Sequence, residues 1–301
     1  MRVLFAADEW ETWAPALRDA CPEIELLREA APDSVDAIIY APGGPGCDFA
    51  AFPSARLVQS LWAGVERIAP DPSLTQPLAR MVDPGMTQGM GEYCAGWAMR
   101  LHLGMDRYAQ DGVWRAHEVP PLATARRVTV LGAGELGSHV ARLLAGLGFD
   151  VASWSSSGRA VGPEIAAFGG DHLMAALGRA DIAILLLPDT AGTRHLMDAA
   201  RLAALPQGAA IINPGRGTLI DEQALIDALD RGHLSHAVLD VFQTEPLPHD
   251  HPFWGHRGIT VTPHIAAATR PASAARIAAE NLRRVMRGEI PHFLVDRSRG
   301  Y

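Results

Sequence analysis

The chain has no lysine: all 26 basic residues in its 301 are arginine. That absence removes whole classes of chemistry. A phosphate-binding P-loop needs a lysine to reach the nucleotide phosphates, and pyridoxal catalysis needs one for its Schiff base. Short-chain, amino-acid and beta-hydroxyacid dehydrogenases, which depend on a catalytic lysine, are set aside on the same ground.

Cysteine is almost as scarce. Cys21, Cys47 and Cys94 are odd in number, far apart and form no CxxC pair. That argues against a disulfide framework and for a reducing compartment. No apolar run approaches the ~20 residues that cross a bilayer. The opening residues 1–9 hold too short an apolar run for a secretory signal, so a cytoplasmic location is expected. Basic blocks are missing too. The formal net charge is -8, and pairs such as Arg126-Arg127 and Arg283-Arg284 read as solvated faces. Neither nucleic acid nor a membrane surface is an expected partner. His233/His236 and His249/His251 lack the thiolate or carboxylate neighbours of a zinc site, and no metal is expected.

What remains is an apolar chain, 48% hydrophobic, long enough for two domains. Residues 3–6, 37–40 and 57–62 read as strands and 12–20 as a helix, with Pro42-Gly43-Gly44-Pro45-Gly46 as a loop. Residues 92–108 predict a long helix with Tyr93, Trp97, Leu101 and Met105 on one face, suited to carry the chain between domains. The runs 128–131, 151–154, 182–187, 209–212, 237–241 and 259–262 are nearly continuously apolar, as in strands covered on both faces. Helical segments separate most of them; 221–231, for example, opens on Asp221 and stops at Gly232. A last helix over 273–287 is expected to lead the tail back to the first domain. The fold class is therefore α/β, with two doubly wound parallel-sheet domains of Rossmann type. Residues 1–91 plus 275–301 would form a discontinuous substrate-binding domain and 92–274 a dinucleotide-binding domain, with the active site in the cleft between them.

The segment Gly132-Ala133-Gly134-Glu135-Leu136-Gly137 follows a strand and opens a helix. In that setting the first glycine permits the turn, the second lets pyrophosphate approach, and the third lets helix and strand pack. The next strand ends in Trp154-Ser155-Ser156-Ser157-Gly158-Arg159. An NAD site usually carries an acid there for the ribose hydroxyls. Hydroxyls and a guanidinium instead accept a 2'-phosphate, so NADPH is expected, with NADH as second choice.

Three polar motifs close three later strands: Asn213-Pro214-Gly215-Arg216-Gly217, Leu239-Asp240 through Glu245, and Thr262-Pro263-His264. Ligands bind at the carboxyl ends of strands in open α/β sheets. A cation for a substrate anion, and an imidazole with a carboxylate behind it, are what reduction of a 2-keto acid needs.

These motifs resemble the D-2-hydroxyacid dehydrogenase family, and within it the glyoxylate/hydroxypyruvate-reducing subgroup. The likeness extends over Leu61-Trp62-Ala63-Gly64, Met90-Gly91-Glu92-Tyr93, Trp154-Ser155, Leu187-Pro188 and the tail from Val295 to Tyr301. It implies that Arg216 holds the substrate's carboxylate and keto oxygen, His264 protonates that oxygen, and Glu245 orients His264. It implies that Trp62, Ala63 and Gly64 meet the substrate, the last two through backbone N–H groups. Leu187, Pro188, Thr193, Asn213, Pro214, Gly215, Asp240 and Ala266 would line the cofactor, with Asp240 near the carboxamide. It also implies a homodimer through the nucleotide domain. Two residues depart from the pattern. Ser156 stands where the subgroup often has arginine, and Trp62 where relatives can carry glycine. Trp62 either narrows the pocket toward small acids or packs against its surroundings. Other short 2-keto acids, and a dinucleotide-sensing regulatory role, are the alternative readings.

Overall fold

The computed structural model describes residues 1–44, 47–108, 113–114, 116, 118–297 and 300. Pro45 and Gly46 of the expected loop, and Ser298, Arg299 and Tyr301 of the tail, lie outside the described residues. The chain forms two compact units, Met1–Met86 with Ala268–Tyr301, and Thr87–Ala267.

In the first unit, strands β1 (Arg2–Ala6), β2 (Glu25–Leu27), β3 (Ala37–Tyr40), β4 (Val58–Ser60) and β5 (Leu78–Ala79) form a parallel sheet. Its order is β2-β1-β3-β4-β5, a doubly wound arrangement. Helix α1 (Trp10–Ala20) follows β1 and buries Trp13, Ala14 and Leu17. β2 and β5 are too short to display any periodicity, which is why the sequence does not announce them. β4 is shorter than the apolar run 57–62 because the chain turns away at Trp62.

Helix α2 (Pro84–Leu103) opens in the first unit and continues into the second. The division falls at 86/87 rather than 91/92, and at 267/268 rather than 274/275. Buried Asp83 accounts for both shifts. Its carboxylate accepts from Gly85 N (3.2 Å), Met86 N (3.1 Å) and Arg270 N (3.2 Å), tying the start of α2 to the returning chain. The helix begins earlier than expected because three glycines in its first half, Gly85, Gly89 and Gly91, mask the signal. It ends where Gly104 takes φ 61, and Met105–Tyr108 is a separate 3-10 turn. Its deepest stripe is Met90, Cys94 and Ala98, not the aromatic one. Small side chains let α2 pack on Val128, Val130 and Val140, while Met105 is 51% exposed.

The second unit then runs β6 (Arg127–Leu131), α3 (Glu135–Gly146), β7 (Asp150–Ser155), β8 (Ala166–Gly169), α4 (Leu173–Gly178), β9 (Ile182–Leu185), α5 (Ala199–Ala204), β10 (Ala209–Asn213), α6 (Glu222–Asp230), β11 (Leu234–Leu239) and β12 (Ile259–Val261). The seven strands are parallel in the order β12-β11-β10-β9-β6-β7-β8. The winding reverses at β6, whose neighbours are β7 and β9, and a crevice at such a switch point is where dinucleotides bind. Alternate residues feed two cores. Leu131, Leu185, Ile211 and Leu239 enter one; Val130, Ile184, Ile212 and Val238 enter the other. That explains the continuous apolar runs. β11 starts earlier than expected because Ser235 and His236 interrupt its apolar pattern, and Asp240 and Val241 already belong to the following loop.

Helix α7 (Pro271–Met286) completes the first unit. Pro271 suits a first helical position, where its missing N–H costs nothing. Ala274, Ala275, Ala278 and Leu282 pack with Trp13 and Leu17 of α1. Buried Asn281 donates to Gln59 Oε1 (2.7 Å) and to His292 O (3.1 Å), and accepts from His292 N (2.7 Å). The Arg297 guanidinium donates to the carbonyls of Ala69, Asp71 and Leu74. Cys21 and Cys94 are buried and all three thiols are free. Among the described residues no helix is long and apolar enough to cross a membrane.

Candidate active site

The loop between β6 and α3 contains glycines required for two different reasons. Gly132 has φ +121, and a Cβ on it would lie 2.3 Å from Leu186 O. Gly137 must sit against the Gly132 carbonyl. Packing alone demands both. Gly134 takes an ordinary extended φ of -75, and a Cβ there would meet nothing within 4 Å. No protein neighbour calls for glycine at that position. Open space before the N-terminus of α3 does, because its unpaired N–H groups can take a pyrophosphate that approaches closely. The loop fits a dinucleotide on this ground. Glu135 is exposed in the first turn of α3 and Leu136 is half-buried.

At the end of β7, Ser155 Oγ accepts from Arg159 N (3.2 Å) and lies 3.4 Å from Ser157 Oγ. The turn rests on the end of β8. Gly158 has φ +65, a Cβ on Gly169 would lie 2.6 Å from Gly158 Cα, and Trp154 Nε1 donates to Gly170 O (3.3 Å). Ser156, Ser157 and Arg159 are exposed, so the turn presents hydroxyls and one guanidinium and no acid.

Beyond β9, Leu187 and Pro188 enter a loop closed by Thr193, whose hydroxyl donates to Pro188 O (2.6 Å) and accepts from Thr190 N (2.9 Å). Beyond β10, buried Asn213 shapes the turn carrying Pro214, Gly215 and Arg216. Its side chain donates to Arg216 O (2.9 Å) and accepts from Gly215 N (3.1 Å). A Cβ on Gly215 would lie 2.7 Å from Leu185 O, so the turn is pressed onto the end of β9. Arg216 Nη1 donates to Gly215 O (2.7 Å).

His264 Nδ1 stands 2.7 Å from Glu245 Oε2, and Glu245 Oε1 accepts from Phe242 N (2.9 Å). The bond to Glu245 raises the imidazole's pKa against the opposing effect of burial; the charges of Glu245 and Asp240 reinforce it, and Arg216 opposes it. Burial pushes the Glu245 carboxyl up, but the His264 and Phe242 hydrogen bonds, with the charges of His264 and Arg216, hold it below its ordinary value. The three groups predicted from separate strand ends therefore act on one another. With Nδ1 engaged, Nε2 of His264 is left to face a ligand.

The backbone of His264 lies in the left-handed region, φ 54. For a residue with a Cβ this costs about 1–2 kcal/mol, so something must hold it. Asp240 does. His264 N donates to Asp240 O (2.8 Å), and the wholly buried Asp240 carboxylate accepts from Thr262 Oγ1 (2.6 Å), Ile265 N (2.9 Å) and Ala266 N (2.9 Å). Both oxygens of Asp240 are thus engaged by the His264 loop. The sequence reading missed Thr262, Phe242 N and this gripping role. The quoted Thr262-Pro263-His264 motif contains the signal, but nothing in it marks the hydroxyl's direction.

Trp62, Ala63 and Gly64 follow β4 in the first unit. Trp62 is 46% exposed there, so within that unit its ring is not part of the core. Among the described residues no group of three or more histidine, cysteine or acidic side chains is placed to hold a metal ion.

A family model described as "D-isomer specific 2-hydroxyacid dehydrogenase, NAD binding domain" matches residues 96–266. The chain is 39% identical over 228 residues to a glyoxylate/hydroxypyruvate reductase A of Serratia proteamaculans, covering 75% of this chain and 72% of that protein. Among solved structures, a D-isomer specific 2-hydroxyacid dehydrogenase from Xanthobacter autotrophicus, in complex with NADPH and MES, is similar with TM-score 0.92 and 37% identity, covering 100% of this chain and 99% of that one. An NADPH-dependent glyoxylate/hydroxypyruvate reductase from Sinorhizobium meliloti, in complex with NADP and sulfate, gives TM-score 0.90 and 30% identity, with coverage of 100% and 99%. The glycine loop, the switch point and the Arg216, Glu245 and His264 set agree with that likeness, and the chain belongs to the D-isomer specific 2-hydroxyacid dehydrogenase family.

Proposed function

We propose that the protein is an NADPH-dependent reductase of small 2-keto acids, converting glyoxylate to glycolate and hydroxypyruvate to D-glycerate. The observation that carries this reading is the 2.7 Å contact between His264 Nδ1 and Glu245, within the field of Arg216. A nicotinamide bound at the glycine loop would supply the hydride. Arg216 binds the substrate's carboxylate and keto oxygen through a planar pair of donors. His264 gives a proton from Nε2 to that oxygen as the carbonyl carbon is reduced, and Glu245 stabilises the imidazolium that must be present beforehand. Asp240 keeps the His264 loop in register.

The NADPH preference is supported by the serine turn at 155–157 with Arg159, which bears no acid to repel a 2'-phosphate, and by the NADP-bound relatives. A homodimer is supported by apolar side chains left in the open on the second unit: Trp114, Val119 and Leu122 are 90%, 79% and 78% exposed. Exposed large apolar side chains are what an interface would cover. The three unpaired thiols favour a cytoplasmic setting.

A panel of short 2-keto acids, assayed with NADPH and NADH by loss of reduced-nicotinamide absorbance, tests the proposal. Glyoxylate and hydroxypyruvate should be the best substrates and NADPH the better donor. Clear NADH selectivity would overturn the cofactor assignment. Stronger turnover of a bulkier keto acid would overturn the substrate assignment.

A further inference from the structure

We propose that Tyr93, on α2, is a positioning residue for the proton-donating imidazole, acting through Thr262 and Asp240. The proposal rests on the reading of His264 as the general acid. Tyr93 Oη lies 2.7 Å from Thr262 Oγ1. Thr262 has one hydroxyl proton, and it is directed to Asp240 Oδ1 at 2.6 Å. The proton in the first contact therefore belongs to Tyr93. Two hydroxyls in series point their protons at one wholly buried carboxylate.

That carboxylate has no water to solvate its charge, so its donors must do so. Besides Thr262 they are the amides of Ile265 and Ala266, the two residues after His264. The Asp240 carbonyl takes the amide of His264 itself. The chain on both sides of the imidazole is thereby fixed to one buried charge, and Tyr93 supplies a further link from α2. Burial raises the pKa of the Tyr93 hydroxyl above its ordinary value, so it stays a donor throughout the neutral range. The charged groups acting on His264 are Glu245 and Asp240, which favour its protonated form, and Arg216, which opposes it. Loss of the Tyr93 donor leaves the Thr262 oxygen unsatisfied and weakens the solvation of Asp240. The strained His264 backbone is then held less firmly, and with it the Nδ1 contact to Glu245 that supports the imidazolium.

The test uses the full chain with Tyr93→Phe, Thr262→Val and Thr262→Ser, and His264→Gln as the reference. For each, the pH dependence of kcat/KM for glyoxylate reduction is recorded, together with NADPH binding by fluorescence titration. Tyr93→Phe keeps the ring and should bind NADPH as the parent does. Its kcat should drop about three- to tenfold, the scale of one hydrogen bond, and its alkaline limb should move to lower pH. Thr262→Val should do the same more strongly, and Thr262→Ser should restore the parent profile. A merely structural Tyr93 would lower the melting temperature and leave the limb in place. If His264→Gln is inactive while Tyr93→Phe keeps the parent rate and limb, the positioning role is wrong and the general-acid reading stands. If His264→Gln keeps its turnover, both fall.

Discussion

Gly217 lies so close to Phe242 that a Cβ on it would fall 2.0 Å from the Phe242 carbonyl carbon. Gly217 follows Arg216 directly, and Phe242 N is a ligand of Glu245. The contact is backbone on backbone, so no side chain can rotate out of the way. It brings the loop after β10 against the loop after β11, and with them the Arg216 guanidinium within electrostatic reach of the Glu245 carboxylate.

Gly217→Ala must therefore separate these loops. Overfilling a packed contact costs about 1–3 kcal/mol, so the variant should melt at lower temperature. More specifically, KM for the keto acid should rise and kcat fall, with dinucleotide affinity unchanged. A variant with lowered melting temperature but parental kinetics would show that the contact has no bearing on Arg216.

The glycine loop gives a contrasting pair. A Cβ on Gly137 would lie 1.9 Å from Gly132 O, so Gly137→Ala should destabilise the second unit whether or not cofactor is present. Gly134→Ala should leave the melting temperature of the free protein unchanged and weaken NADPH binding. Thermal melts with and without the dinucleotide separate the two. Equal loss of stability in the free protein for both variants would contradict the assignment of open space at Gly134 to the pyrophosphate.

Arg216→Ala and His264→Gln should fail differently. General acid catalysis contributes on the order of 10²–10⁴-fold, so His264→Gln should lose most of kcat while binding NADPH normally. Arg216→Ala removes the substrate's charged partner and should raise KM as well as lower kcat. Steady-state kinetics with glyoxylate distinguish them; a purely kcat effect for Arg216→Ala would argue that the carboxylate binds elsewhere.

The pH dependence follows from the Glu245–His264 pair. Reduction needs the imidazolium, whose pKa is raised above the ordinary 6.5. The kcat/KM for reduction should be flat at low pH and fall as pH rises through a value above 6.5, while oxidation of the hydroxy acid rises over the same range. Glu245→Gln removes the largest raising cause and should move both limbs to lower pH. The same shift has a sign for stability. Its contribution is full below the unfolded imidazole's pKa and is lost as pH rises through the folded one. An alkaline limb unchanged in Glu245→Gln would remove Glu245 from this role.

Much of this was legible in the residues. The apolar runs found β6, β7, β9 and β10 because both faces of each strand are covered. The glycine fingerprint and the strand-end Arg216, Glu245 and His264 stood out because chemistry restricts residue type at those places. β8, α4 and α5 did not, since four- to six-residue elements carry too little periodicity. The buried face of α2 was not legible, because Cys94 and Ala98 are buried through smallness, which a count of large apolar residues overlooks. Donor direction at Thr262, and the backbone approach at Gly217, exist only in three dimensions.

The left-handed backbone at His264 sets thermal endurance against activity. Asparagine tolerates that conformation better than histidine, and glycine adopts it freely. Above the folded imidazole's pKa, where the Glu245 contact no longer adds stability, His264→Asn should therefore unfold at higher temperature than the parent while losing most of its reduction. Screening for heat resistance alone would thus select against the very residue that works.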